Sequence, residues 1–120
     1  MTFEEYQAAI QKTKTYSTSI SMRDEEGNGT PLPWVYPALG LSGEAGEILE
    51  KFKKIIRDQK GQIFPEDREN IKKELGDVLW YCASISDELG INFNDVAQAN
   101  IDKLYDRLRR DKISGSGDNR

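Results

Sequence analysis

The sequence predicts an all-α protein built as a four-helix bundle, and three observations lead there. Apolar residues recur at i, i+3, i+4 and i+7 over long stretches, the period of an amphipathic helix. The ten glycines and four prolines gather in a few places and leave those stretches uninterrupted. No alternating polar–apolar run is long enough to demand a sheet.

The first helix is expected from about Thr2 to Lys14, with Phe3, Tyr6, Ala9 and Ile10 at helical spacing and a ragged continuation toward Met22. The stretch Glu25–Pro33 reads as a loop from its Gly, Asn and Pro content. The second helix begins between Trp34 and Pro37 and runs to about Arg57; its apolar stripe is Leu41, Ala45, Ile48, Leu49, Phe52, Ile55 and Ile56. Asp58–Phe64 is a second loop, and Pro65 suits the first turn of the third helix. That helix turns Ile71, Leu75, Val78, Leu79, Cys82, Ile85 and Leu89 inward, and Gly90 suits the position just past its end. Asn92 is the expected N-cap of the fourth helix, with Asp95 as capping-box partner. There Val96, Ala97, Ile101, Leu104 and Leu108 face inward, to an end near Lys112. Residues 1–113 are expected to form one domain, and residues 114–120 (SGSGDNR) a flexible C-terminal tail.

Composition narrows the chemistry. With 37% hydrophobic and 32% charged residues the chain reads as globular. A net charge of −4 and the lack of a basic patch with interleaved aromatics argue against nucleic acid as a partner. No apolar run approaches the ~18 residues of a membrane span, and no signal peptide is visible, so the cytoplasm is the expected compartment. The lone cysteine, Cys82, rules out an intramolecular disulfide. The chain has no histidine. That removes serine–histidine and cysteine–histidine nucleophiles, imidazole-bound metals, and a di-iron bundle built on Glu-x-x-His.

Carboxylates remain. Glu44 and Glu47 lie one turn apart on the second helix, and Glu74 and Asp77 one turn apart on the third. The intervening chain is long enough to finish one helix, turn and start back, so both pairs can aim at one point. Four carboxylates at one point repel unless a cation sits among them. Hard oxygen donors suit magnesium, or manganese in its place, and magnesium often shares its shell with substrate phosphates. Such a site suggests a phosphate substrate attacked by water. Gly43, Gly46 and Gly76 sit inside these helices at a cost of about 1 kcal/mol each against alanine, which suggests close helix approach or room for a ligand. Each pair alone reads equally as solvated surface charge.

The strings LSGEAGEILEKFKK and KKELGDVLWYCASI resemble the MazG-type nucleoside triphosphate pyrophosphohydrolases, an all-α superfamily. The resemblance spans roughly residues 34–110. It implies that Glu44, Glu47, Glu74 and Asp77 hold magnesium against a triphosphate. It further implies that water attacks the α-phosphorus to give a nucleoside monophosphate and pyrophosphate, with Glu47, or else Glu44, as general base. Family members are typically dimers or dimers of dimers. The residues point the same way, since the apolar stripes exceed what one four-helix bundle covers; a homo-oligomer, dimer or tetramer, is expected.

Further substrate contacts are expected around the carboxylates. Lys51 and Lys54 follow Glu47 on nearly the same face and can meet the β- or γ-phosphate, or simply pair with Glu47 and Glu50. Tyr81, one turn after Asp77, can bond a phosphate or sugar oxygen or fill the core rim, whereas Trp80 reads as packing. Asn100, Lys103 and Arg107 recur at i, i+3 and i+7, and the string ANIDKLYDRLRR resembles the family's last helix, which approaches the triphosphate and sugar. Trp34 and Tyr36 can stack on a base or staple the helix start. By its resemblance to endings of some MazG-like proteins, the tail would close over the phosphates or reach a neighbouring subunit. The competing reading is a non-catalytic helical oligomerisation or interaction module.

Overall fold

Capping and turn chemistry set the element boundaries in the computed structural model, which describes residues 1–120. Helix α1 spans Phe3–Ile10. Thr2 Oγ1 accepts from Glu5 N at 3.0 Å while Thr2 N donates to Glu5 Oε2 at 2.6 Å, a reciprocal capping box. A 3₁₀ turn, Gln11–Thr13, follows, so the first helix ends sooner than expected and does not continue toward Met22. Instead Ser21–Arg23 (β1) and Gly29–Pro31 (β2) pair antiparallel, with Met22 opposite Thr30. The Asp24 carboxylate accepts from the backbone of Glu26 and Asn28, and Gly27 takes φ +86°. A sheet was not expected because three-residue strands are too short to show a period of two.

Helix α2 spans Val35–Gln59 and α3 spans Pro65–Glu88. Lys60 and Gly61, both at positive φ, turn the chain between them. Phe64 N donates to Asp67 Oδ2 at 2.8 Å and starts α3 behind Pro65. The end of α3 is a Schellman motif: Ile91 N reaches Ser86 O, Gly90 N reaches Asp87 O, and Gly90 stands at φ +67°. Helix α4 spans Phe93–Arg109. Asn92 caps it, but its side chain accepts from Asn94 N, and Asp95 forms no reciprocal box.

The α2–α3 hairpin is antiparallel. Near the turn, Gln59 Nε2 donates to Asp67 Oδ2 at 2.8 Å; further along, Lys51 Nζ meets Glu74 at 2.9 Å. At the far end the ring of Tyr81 lies against Gly40, where a Cβ would meet Tyr81 Cε1 at 2.2 Å. Close approach therefore occurs at Gly40. At Gly43, Gly46 and Gly76 a Cβ would meet nothing within 4 Å, so of the two alternatives expected there close helix approach is ruled out and open space is found.

The core lies where α1, α3 and α4 meet. Ile10, Ala83 and Phe93 are buried, with Tyr6, Leu79, Trp80 and Cys82 packed around them. The segment after the 3₁₀ turn is tied to the end of α3. Lys14 Nζ sits 2.6 Å from Asp87 and 2.8 Å from Glu88, and the Tyr16 hydroxyl donates to Glu88. Burial and the Glu88 hydrogen bond push the Tyr16 hydroxyl up to about 12.

One chain covers its apolar stripes only in part. No Cα of α4 comes within 8 Å of α2, because α4 packs on α1 and the end of α3. Of the residues expected inward, Ala45, Leu49, Phe52, Ile56, Leu75, Leu89, Val96, Ile101, Leu104 and Leu108 are exposed, with Leu49 at 69%, Ile56 at 70% and Leu108 at 60%. The radius of gyration, 18.3 Å, exceeds the ~13.6 Å of a compact domain this long.

The Gly40–Tyr81 contact generates a test with a change of sign. Gly40→Ala should lower stability by about 1–2 kcal/mol, an overpacking cost partly offset by alanine's better helix propensity. In a Tyr81→Ala background the same change should stabilise by up to about 1 kcal/mol. Urea unfolding of the four-member cycle measures both; equal effects in the two backgrounds would contradict the contact.

Candidate metal centre

The hairpin turns a spacing in sequence into a cluster in space. Glu44 on α2 and Glu74 and Asp77 on α3 each bring a carboxylate oxygen within 4.8 Å of the others. Glu44 and Glu74 are half-buried and Asp77 is exposed. Glu47 lies one helical turn along α2, exposed, outside this three-oxygen group, and without an ion pair. Lys51 does not pair with Glu47; it crosses to Glu74 at 2.9 Å and offsets one of the clustered charges.

Beside the carboxylates is an open cleft of ≈ 260 Å³ lined by Glu44, Asp77, Trp80 and Tyr81. Trp80, expected as packing, serves both sides: it flanks the core and faces the cleft, and its indole N–H donates to Thr13 at 2.8 Å. Tyr16 stacks on Tyr36 with ring centroids 5.4 Å apart and planes 9° from parallel, and meets Trp80 edge-on at 6.0 Å. Trp80 meets Tyr81 edge-on at 5.0 Å. Tyr16 was not singled out from the sequence. It lies in an irregular segment with no period, and only its hydrogen bond to Glu88 on α3 places it here. Trp34 sits half-exposed at the start of α2 and is not part of this aromatic group.

The remaining expected contacts scatter. Lys54 pairs with Glu50 at 3.8 Å, and with Lys51 it lines a second cleft of ≈ 300 Å³ toward the α2–α3 turn. Asn100, Lys103 and Arg107 stand on α4, which this chain holds away from α2. Asn100 and Lys103 do not touch the carboxylates; Lys103 and the buried Arg107 face the segment after α4.

Burial and charge crowding together shift the titration of the site. Partial burial, then the charges of Asp77, Glu74 and Glu47, push the Glu44 carboxyl above its ordinary value. Burial, then Tyr36, Glu44 and Asp77, raise the Tyr81 hydroxyl. Asp77 also adds to the effect of burial in raising Tyr6 on α1. A group of oxygen donors that repel one another fits a hard divalent cation. In an octahedral magnesium shell neighbouring oxygens stand about 2.9 Å apart and opposite ones about 4.1 Å, so the three oxygens, within 4.8 Å of one another, would draw closer to share one shell.

The chain is similar in sequence to known proteins. A family model, the MazG nucleotide pyrophosphohydrolase domain, matches residues 38–110, a stretch that holds all four carboxylates and α4. The chain is 43% identical over 115 residues to the Gene 37 protein of Mycobacterium phage L5, covering 96% of each. No solved structure gives a significant match.

A raised carboxyl disfavours its own charged form in the fold. The metal-free protein should therefore lose stability as pH rises through the Glu44 titration, and divalent-cation affinity should rise over the same range. Glu44→Gln should stabilise the metal-free fold by roughly 0.5 kcal/mol, the scale of a like-charge pair on a helix, and weaken cation binding. Thermal melting and magnesium calorimetry across pH check both; cation affinity independent of pH from 4 to 7 (a window set by ordinary carboxylate titration) would count against the cluster as a cation site.

Proposed function

Because the chain belongs to the MazG nucleotide pyrophosphohydrolase domain family, we propose that it hydrolyses nucleoside triphosphates at the α-phosphorus, giving a nucleoside monophosphate and pyrophosphate with magnesium as cofactor. The observation that carries this reading is the convergence of Glu44, Glu74 and Asp77 from two helices to within 4.8 Å, beside a cleft walled by aromatic rings. Like charges repel, so carboxylates that converge across a helix pair suit a bound cation.

The residues divide the work by position. Glu44, Glu74 and Asp77 hold the cation, with manganese able to replace magnesium. When bound, the cation supplies positive charge to phosphate oxygens and lowers the pKa of its water. Glu47, unpaired and one turn beyond the cluster, completes the acidic set and accepts the proton of the attacking water. Lys51, beside Glu74, would bind a phosphate oxygen, and Lys54 would extend that positive edge. Tyr81 and Trp80 wall the cleft for the sugar and base. Tyr36 and Tyr16 back them, and Trp34 stands at the approach.

We also propose association into a dimer or dimer of dimers. It would cover the exposed Leu49, Ile56, Leu104 and Leu108. It would also bring Asn100, Lys103 and Arg107 of one copy toward the carboxylates of another, which a single chain keeps apart.

Three measurements test these readings. With a deoxynucleoside triphosphate and magnesium, the first products should be monophosphate and pyrophosphate; orthophosphate and diphosphate, or no turnover with any common triphosphate, would favour the non-catalytic interaction module. Asp77→Ala and Glu47→Ala should each cut kcat by more than about 100-fold, beyond the loss expected for an outer partner of a metal ligand, and keep a native melting transition. Light scattering at micromolar concentration should give twice or four times the 13.7 kDa chain mass; a clean monomer would refute association.

A further inference from the structure

Residues 14–20, between the 3₁₀ turn and β1, form neither helix nor strand, so side chains place them. Glu88, in the last turn of α3, accepts from the Tyr16 hydroxyl and lies 2.8 Å from Lys14 Nζ. The side chains of Lys14 and Glu88 are each only 14% exposed. Lys14 Nζ also stands 5.6 Å from the centre of the Tyr16 ring. Tyr16 keeps its proton and is the donor, because burial and then the bond to Glu88 push its hydroxyl up to about 12. Glu88 keeps its charge. Burial raises its carboxyl, but the bonds from Lys14 and Tyr16 outweigh burial and hold it below its ordinary value. A charged acceptor makes this tie stronger than a neutral one would.

The ring held in this way bears on the cleft. It stacks on Tyr36, the second residue of α2, a helix that starts without a side-chain cap at Trp34. Its edge contact with Trp80 bears on a residue that lines the cleft beside Glu44 and Asp77. The Trp80 indole N–H donates to Thr13, whose own hydroxyl donates to Ile10 O at 2.7 Å. One hydrogen bond at the indole nitrogen leaves the ring free to tilt about it, and the Tyr16 ring closes off that tilt. Glu88 itself does not line the cleft and stands about three helical turns beyond Asp77 on α3. Lys14 does not require it as a counter-charge, since Asp87 already lies 2.6 Å away. What Glu88 alone supplies is the acceptor for Tyr16.

We propose that Glu88 is a positioning residue: acting through the Tyr16 hydroxyl, it fixes the tilt of the Trp80 ring and so the shape of the cleft wall beside the carboxylates. That this wall receives a nucleotide rests on the pyrophosphohydrolase reading; the placing of the ring by Glu88 and Tyr16 does not. The acid touches neither substrate nor cation. Its effect falls on how well the cleft is formed before a ligand arrives, and therefore on binding rather than on the chemical step.

Two readouts test it: steady-state kinetics with a deoxynucleoside triphosphate and magnesium, and the indole N–H signals in nitrogen–proton spectra. The chain has two tryptophans, and Thr13→Val identifies the Trp80 signal by removing its acceptor. Glu88→Ala and Tyr16→Phe should each move that signal. Both should raise KM about two- to tenfold, the range an aromatic contact supplies. In both, kcat should stay within about twofold, the pattern of lost ground-state binding. Glu88→Gln keeps an acceptor for the Tyr16 hydroxyl and should bring KM back to within about twofold of the unaltered value. Tyr16→Phe removes one hydroxyl and keeps the ring, so it carries the test if Glu88→Ala does not fold. A Trp80 signal unmoved by Tyr16→Phe, a fall in kcat without a rise in KM, or a Glu88→Gln protein no better than Glu88→Ala would each overturn the proposal. Movement of the Trp80 signal in a protein that hydrolyses no triphosphate would leave the placing of the ring standing and refute the pyrophosphohydrolase reading instead.

Discussion

The antiparallel clasp of α2 and α3 is the constraint on which the site depends. Its register is held near the turn by Gln59 and Asp67, in the middle by Lys51 and Glu74, and at the far end by Tyr81 against Gly40. Glu44 sits one turn beyond Gly40, and Asp77 one turn before Tyr81. A slip of one residue along either helix would rotate a carboxylate about 100° away from its partners. The fit of one aromatic ring into one missing side chain thus decides whether three negative charges converge. Convergence of like charges is unfavourable in the metal-free chain; partial burial, then these neighbouring charges, raise the Glu44 carboxyl. The clasp has to supply the free energy that holds these charges together, and Lys51 returns part of it.

Much of this was legible in the sequence because helices announce themselves locally. The stop at Gly90, the cap at Asn92 and the start at Pro65 are one-residue signals with a mechanical basis, and each was found where expected. The grouping of Glu44 with Glu74 and Asp77 was legible because i, i+3 spacing fixes a shared face on α3 before any tertiary contact forms, whereas Glu47 stands outside the group. What was illegible was pairwise. Nothing local marks Gly40, rather than Gly43, Gly46 or Gly76, as the point of closest approach, since that depends on which aromatic of α3 arrives opposite. The β-hairpin escaped because its register rests on the Asp24 side chain and Gly27 rather than on a repeating pattern. Tyr16 escaped because its place is set by a bond to Glu88, far away along the chain.

The division between covered and uncovered apolar residues has its own logic. Ile10, Ala83 and Phe93 close a small core at one end of the molecule, where the Lys14–Asp87–Glu88 ion pairs tie down the chain. Along the outer lengths of α2 and α4 the stripes are continuous in sequence but open in space, because α4 leans on α1 and never reaches α2. The periodicity was a poor guide to burial within one chain, and covering the open faces falls to the association proposed above. A helix stripe marks a face suited to burial and is silent on whose chain would cover it.

The two tryptophans occupy different worlds. Trp80 faces the cleft beside Glu44 and Asp77, with its indole N–H held by Thr13, whereas Trp34 stands at the open start of α2. The protein therefore carries a built-in optical reporter. Emission from Trp80 senses the polarity and charge of the cleft directly, and Trp34 supplies a background set by solvent. Replacing Trp34 with phenylalanine would leave a single tryptophan lining the same cleft as Glu44 and Asp77, so that occupancy of the centre could be followed in real time without attaching a label.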